Sequence, residues 1–535
     1  MGASVTAEQF IYEGNGTIEF WADDDKLGEE PTIWWTGAVD TDWYKPGNWF
    51  GNRIPSLDDV VVLEGTIHDL VNANIIMRLE DANCRLPRKM GIGNGGILSL
   101  NAPFDEENNL RFIIEERCCL LAHGSVTHEN HAYASSVQVN RVNLHIEGDL
   151  IVGRGSSIHA NGKGRLYAGP GKGAGTTDGA GYGGQATGVF TTPTYGSITK
   201  PIDLGSCSFS TGRWSSGAIK LKVDGTFILN GSLASNAGSF PASGGSVWVD
   251  ANVFKGLGGI SVVGSQGSGG RIAVHVDANE FTGSFNAKGQ TKGVAGTIFI
   301  LDRSIHTYGK LIVDDSIDLD AYTSLNDLES VSYTFDEIQV SGTGKLKVGE
   351  DCSLHLAPDG IYENQTDTAT LTVDHGGEFI NEGTFILNGS ETALTVDGLF
   401  NSLPASVFKY IGKAGVPVTI LDNFEYQTLE LSVPGRTFFW KANATYTAHD
   451  SFRVIGEPDN LITLRSTEVG TPWNLFLTDV PGYAEYVDVQ DSHADSGKGV
   501  KVGPLTGDNW NLSVNSGNNI SWVFGPSIGT VFTFY

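Results

Sequence analysis

Four aspartates, Asp224, Asp250, Asp277 and Asp302, close short runs of strand-forming residues. Carboxylates set in one row can hold Ca2+, and a pair of them about 5 to 10 Å apart across a glycosidic bond can hydrolyse it. Four like charges in a row repel unless a cation joins them, and an aspartate at a strand end also commonly opens a turn. A second acidic group lies in Tyr486-Val-Asp-Val-Gln-Asp-Ser-His-Ala-Asp495, where Asp488, Asp491 and Asp495 flank His493 and are the candidates for catalysis. Strand alternation there turns Val487 and Val489 inward and Asp488 outward. Asp23, Asp24 and Asp25 form a further calcium candidate, although three consecutive side chains cannot all point to one centre. His123, His128 and His131, with Glu129 beside them, are of zinc-binding type but have mixed spacing that enforces no convergence. Arg271 and His275 read as surface residues of a strand. The run Gly169-Pro-Gly-Lys-Gly-Ala-Gly175 lacks the Gly-Lys-Ser/Thr ending and the strand–helix setting of a nucleotide loop. No Ser-His-Asp order, HExxH or EF-hand pattern occurs, so Ca2+ is the one cofactor the residues suggest.

The elements that must position these residues repeat. Ala218–Asp224, Ser246–Asp250, Arg271–Asp277 and Thr297–Asp302 each follow a Gly- or Ser-rich turn, and their starts lie 28, 25 and 26 residues apart. Weaker strand-like runs, Thr226–Asn230, Ile260–Val263 and Ser284–Ala287, fall between them. A repeat of this length built only of strands predicts a β-solenoid, in which each period is one rung that buries its apolar face on its neighbours. Residues one rung apart then stand about 4.8 Å apart, which is how acids distant in sequence become neighbours. Thr384-Phe-Ile-Leu-Asn-Gly-Ser390 nearly repeats Thr226-Phe-Ile-Leu-Asn-Gly-Ser232, so the same coil type is expected in both halves.

Composition narrows the classes. The charge of −28, from 62 acidic and 34 basic side chains among 535 residues, opposes binding to phosphate backbones or docking on anionic membranes. No run of about 20 apolar residues suits a membrane span. Cys84, Cys118, Cys119, Cys207 and Cys352 have no metal-ligand spacing, and adjacent Cys118 and Cys119 face opposite sides of a strand. The opening Met1–Ala7 lacks the charged and apolar regions of a secretory leader. The expected location is outside a cell, on its surface or in a virion. The leader is then removed before this numbering begins, or the protein leaves by another route.

From Trp34 the chain reads Trp34-Trp-Thr-Gly37, Asp42-Trp43, Asn48-Trp49, Pro55 and Asp58-Asp-Val-Val-Val-Leu63. This phrase resembles the opening of glycine-rich parallel β-helix (pectate-lyase-like) surface and appendage proteins of bacteria and phages, and the start of G8 domains. Ser243-Gly-Gly-Ser-Val-Trp-Val-Asp250, Ser268-Gly-Gly-Arg-Ile-Ala-Val274 and the closing Ile462–Ser466, Tyr486–Asp491 and Asn518–Trp522 are similar to later parts of the same class. The resemblance implies a right-handed helix. The organisation expected is an N-terminal hairpin over 1–30, an aromatic cap and first rung over 31–63, and rungs over 64–161. A Gly-rich loop over 162–217, rungs over 218–522 and a terminal strand over 523–535 complete it.

Trp34, Trp35, Trp43 and Trp49 are large enough to plug the open end of such a core, or else to stack on sugars. Phe10, Tyr12, Phe20 and Trp21, with Phe532, Phe534 and Tyr535, are the candidate assembly contacts, since an apolar edge otherwise invites aggregation. The leading expectation is a non-catalytic structural or adhesive protein (a fibre subunit, adhesin or virion appendage) whose partners are its own copies or surface polysaccharide. A polysaccharide lyase or glycoside hydrolase acting on the face of the helix is the alternative, and a passive carbohydrate-binding module is the second alternative.

Overall fold

The structure is a computed structural model that describes residues 27–64, 74–79, 82–103, 109–129, 140–166, 169–208, 214–238, 241–317, 320–389, 391–412, 416–421, 424–503 and 512–524. Phe10, Tyr12, Phe20, Trp21, the Asp23, Asp24 and Asp25 run, His131, Phe532, Phe534 and Tyr535 lie outside them. The fold is all-β, a right-handed parallel β-solenoid with the Gly-rich insertion the sequence predicts. The chain divides into two compact units, Met1–Glu329 and Ser330–Tyr535, and the division falls inside the 218–522 stretch read as rungs.

In the first unit the sequence repeat is the hydrogen-bonding register. Ala218 pairs with Ser246, Ser246 with Arg271 and Arg271 with Thr297, all in parallel. Ile219, Leu221 and Val223 therefore stack on Val247, Val249 and Ala251, then on Ile272, Val274 and Val276, and all are buried. Each such side chain removed from water contributes roughly 1.5–3 kcal/mol before entropy is counted. The run Thr226–Asn230 is not a separate strand. It continues the strand Ala218–Leu229, which turns through an irregularity between Val223 and Thr226. A second, seven-stranded sheet runs alongside, in which the three-residue strands Ser157–His159, Ser232–Ala234, Gly259–Ser261 and Ser284–Asn286 pair in that order after Asn74–Arg78, Ile97–Asn101 and Ser125–Thr127. Cys118 packs in the main core and Cys119 in a separate cluster with Leu27, Val60 and Val62, which is the opposite facing that adjacency dictates.

The Gly-rich segment leaves the coil after Ser157–His159 and returns at Ala218. It is laid against the rungs rather than projecting. Tyr182, Ala186, Ile198, Leu204 and Cys207 are buried, and Gly183 donates its N–H to the Gly269 carbonyl at 3.1 Å. This covering corrects the reading of Arg271 and His275 as surface residues. Both are buried, because carbonyls of Tyr195 and Thr199, more than seventy positions upstream, lie over them.

At the entry, Trp35, Trp43 and Trp49 are buried and meet edge to face, with centroids 4.9 and 4.6 Å apart, and the Trp49 indole donates to the Trp43 carbonyl at 2.8 Å. Trp34 points outward and stacks on Phe50 at 3.8 Å. Of the pair Asp58 and Asp59, Asp59 makes the bend into the first rung. Its buried carboxylate accepts both guanidinium nitrogens of Arg53 at 2.6 and 2.7 Å, the Ser56 N–H and hydroxyl, and the Thr32 hydroxyl. Arg53 above all, then the Ser56 and Thr32 donors, hold its carboxyl well below the usual carboxylate range. The contribution is present above an ordinary Asp pKa of about 4 and is lost as pH falls below it. Asp59→Asn should cost about 1–3 kcal/mol at neutral pH, and the difference from the parent should vanish on acidification. Urea melts across that pH range check it, and a pH-independent difference contradicts it.

The second unit is also parallel-stranded, through Ser332–Ser341, Ser353–Asn364, Thr384–Leu387, Val407–Tyr410 and Glu425–Leu431. Its interior is a column of rings. Tyr362 stacks on Phe385 at 4.1 Å and Phe385 on Phe408 at 4.8 Å, while Trp440 stacks on Trp473 at 4.2 Å. Offset stacks of this kind add about 0.5–1.5 kcal/mol each beyond their buried area.

Candidate functional site

Register decides what the candidate acids do. Asp250 is level with Lys222 below and His275 above, and Asp302 is level with Val276. Asp224 sits in the irregularity after Val223, and Asp277 lies one position past Val276, so the four do not form one row. Spacing between the aspartates differs from the rung spacing by one or two residues, enough to move each carboxylate to another column. Asp224 meets His145 at 2.8 Å and Lys222 at 3.1 Å. Arg303 takes Asp250 at 2.9 Å and Asp277 at 3.0 Å. Asp302 accepts the N–H and hydroxyl of Ser304, as a turn-opening aspartate does. These residues do not fit a calcium cage.

In the second unit Val487 and Val489 are buried and Asp488 is turned outward, as alternation requires. Asp488 is paired with Arg465 and also accepts the Ser516 hydroxyl at 2.6 Å. Asp491 is buried with a left-handed backbone (φ 56°), accepting the Gly470 N–H at 3.0 Å and the Asn518 amide at 2.7 Å. Asp495 is exposed. Asp488 is thus held by a guanidinium and a hydroxyl, Asp491 by a backbone N–H and an amide, and Asp495 faces solvent, so the three do not share one site. His128 is buried with Nδ1 2.9 Å from the Glu129 carbonyl, Glu129 pairs with Arg78, and His123 sits in a left-handed turn beside Gly155. Among the described residues no group of three or more His, Cys, Asp or Glu is gathered closely enough to hold a metal ion.

The structure gathers a cluster of opposite sign that the sequence reading missed. Asn143, Lys220 and Trp248 share one outward column of the first unit. The Asn109 side-chain oxygen accepts from Lys220 Nζ at 3.0 Å, from Arg141 Nη2 at 3.3 Å and from Asn143 Nδ2 at 3.3 Å. The Lys220 ammonium also lies 4.3 Å from the centroid of the Trp248 ring. Arg141 and Asn143 are buried, while Lys220, Arg111 and Trp248 are half-buried. The only signal that could have found the cluster is the register itself, which joins Asn143 to Lys220 across the whole Gly-rich insertion.

Burial first, then the fields of Arg141, Arg111 and Lys200, push the Lys220 amine down to about 8, with Asp250 opposing them. Its ordinary value is 10.5, so between these two pH values the unfolded chain binds the extra proton and stability rises with pH. Below the folded value the penalty of the buried charge is present in full. Lys220→Met should therefore be more stable than the parent near neutral pH, and the gap should close toward about pH 10. Denaturant midpoints at three pH values test this, and a constant gap contradicts it.

No family model, no curated protein and no solved structure matches this chain. No helix among the described residues is long and apolar enough to cross a membrane. What the fold defines is a class by architecture, an all-β parallel β-solenoid scaffold.

Proposed function

We propose that this chain is a non-catalytic structural or adhesive β-solenoid protein, acting outside a cell, on its surface or in a virion, whose partners are its own copies or surface polysaccharide. The observation that carries this reading is the commitment of the candidate acids other than exposed Asp495. Asp250 and Asp277 are clamped by one guanidinium, Asp488 by another, and Asp491 is buried as a backbone anchor. A carboxylate that must shuttle a proton or attack a sugar carbon has to face substrate at a tuned pKa, and these face internal cations and amides. A second reading, passive carbohydrate binding, is favoured by the outward Trp34–Phe50 stack, whose apolar ring faces suit a sugar.

The test incubates the full chain with acidic and neutral glycans, reading unsaturated and reducing ends, and images it by negative stain beside a chain lacking residues 1–26. The deletion stops there because Leu27 is buried and Glu29 pairs with Arg88 and Lys89. The expected result is no new ends, assembly by the full chain, and loss of assembly on deletion with an unchanged circular-dichroism spectrum. New ends that disappear in Asp488→Asn or Asp491→Asn would replace this reading with a depolymerase. Glycan binding abolished by Trp34→Ala, with assembly intact, would support the second reading.

A further inference from the structure

We propose that the outer face around Lys220 binds an acidic sugar, its carboxylate or sulfate taking the place of the Asn109 amide oxygen among the donors of Arg141, Asn143 and Lys220, with the sugar ring against Trp248. The inference rests on the attachment reading above and names the chemistry of the partner.

Charge carries the argument first. A neutral amide oxygen bears only a partial charge, yet two cationic side chains and an amide converge on it within 3.3 Å. Arg111 and Lys200 add further positive fields at Lys220. Among the described carboxylates, Asp250 opposes these fields at Lys220, and it is already bound by Arg303 at 2.9 Å. Counted over the described residues, this is a local gathering of positive charge on a chain whose net charge is −28. Such a gathering, half screened from water, is strongly favourable for an entering anion.

The donors are also in surplus. Among the described residues Arg111 Nε and Trp248 Nε1 are covered from water and have no hydrogen-bond acceptor. Covered polar groups without acceptors mark places where a further acceptor belongs. The third feature is the ring. Trp248 is half-buried on the same column with the Lys220 ammonium over its ring, so an acidic pyranose whose oxyanion reaches the donors would set its apolar C–H groups against the exposed part of the indole. Arg141 and Asn143 are anchored in the sheet, so the donor geometry is pre-organised and little side-chain entropy is lost on binding.

The competing source of counter-charge is internal, since Asp105, Glu106 and Glu107 precede Asn109 in the sequence with only Asn108 between. Titration calorimetry on the full chain should use an oligogalacturonate, a sulfated dextran oligomer and a neutral maltooligosaccharide. The expected result is binding to one or both acidic probes, none to the neutral one, and weakening with added salt. Carboxylate and sulfate arms separate the two sources of the oxyanion. Lys220→Met and Arg111→Gln should each weaken binding at least tenfold, with unchanged circular dichroism. Because Lys220→Met removes a buried charge, loss of binding there cannot be ascribed to misfolding if its melting temperature is unchanged or raised.

Equal affinity for the neutral probe, unchanged affinity in both variants, or no binding at all overturns the proposal. Binding that arises only in the Asp105→Asn, Glu106→Gln, Glu107→Gln triple variant also overturns it, by assigning the counter-charge to that segment. Absent binding with glycans left intact leaves the scaffold reading standing, whereas cleavage of any glycan removes that reading whatever the affinity.

Discussion

Gly296→Ala should destabilise the first unit by more than about 3 kcal/mol and in practice give little folded protein, while Gly259→Ala should cost no more than about 1.5 kcal/mol. Gly217, Gly245, Gly270 and Gly296 each immediately precede a rung strand, and they form one column. A Cβ at Gly245 would lie 2.1 Å from the Gly217 carbonyl oxygen, at Gly270 2.0 Å from that of Gly245, and at Gly296 1.8 Å from that of Gly270. Those carbonyls are not free to turn away. They accept the N–H groups of Ser246, Arg271 and Thr297 at 3.2, 3.0 and 3.2 Å, the first hydrogen bonds of each rung-to-rung ladder. Any relief of the clash therefore breaks the ladder where it starts, and Gly183 packed over the Gly270 carbonyl blocks movement outward. At Gly259 the nearest atom is the Ser284 hydroxyl at 3.2 Å, the end of a rotatable side chain, which can step aside. Calorimetric melting of the two variants checks the contrast. Equal stability would mean that the column is looser than its contacts indicate.

The rungs themselves were legible because burial in a solenoid repeats with the backbone. Ile219, Val247, Ile272 and Ile298 recur at the rung spacing and share one register column. The aromatic cap was legible for the same kind of reason, since three bulky indoles within fifteen residues have nowhere to go except a core end. The Asp ladder failed because a strand-ending residue type says nothing about column, and a shift of one or two residues between repeats is enough to separate neighbours. Arg271 and His275 were misread because alternation tells which side of a sheet a residue is on, and not what a distant segment lays over that side. The Lys220 cluster was invisible for a related reason. Its members at 109, 141, 143, 220 and 248 have no local pattern and meet only through stacking of rungs on either side of the insertion.

Arg271→Leu should cost about 3–5 kcal/mol and release the Gly-rich segment, because one buried guanidinium ties three distant pieces of chain together. Its Nε donates to the Tyr195 carbonyl at 3.0 Å, Nη1 to the Thr297 hydroxyl at 3.1 Å and Nη2 to the Leu325 carbonyl at 3.1 Å, and its carbon lies 5.7 Å from the Tyr182 ring centroid. Leucine fills much of the volume and leaves two covered carbonyls without donors, each worth about 1–3 kcal/mol. Arg271→Lys should recover only part of the loss, since a single ammonium cannot point along three directions at once. Tyr182 and Tyr195 are held in the same layer through Ser246 at 2.6 Å and the Leu204 carbonyl at 2.8 Å, so the segment should loosen as a unit. Limited proteolysis provides the readout that a purely local defect would not move. Cleavage within 169–208 should become fast in Arg271→Leu, intermediate in Arg271→Lys and remain slow in the parent. If Arg271→Leu melts within a degree of the parent and its Gly-rich segment stays uncut, the layer is held by its glycine contacts alone.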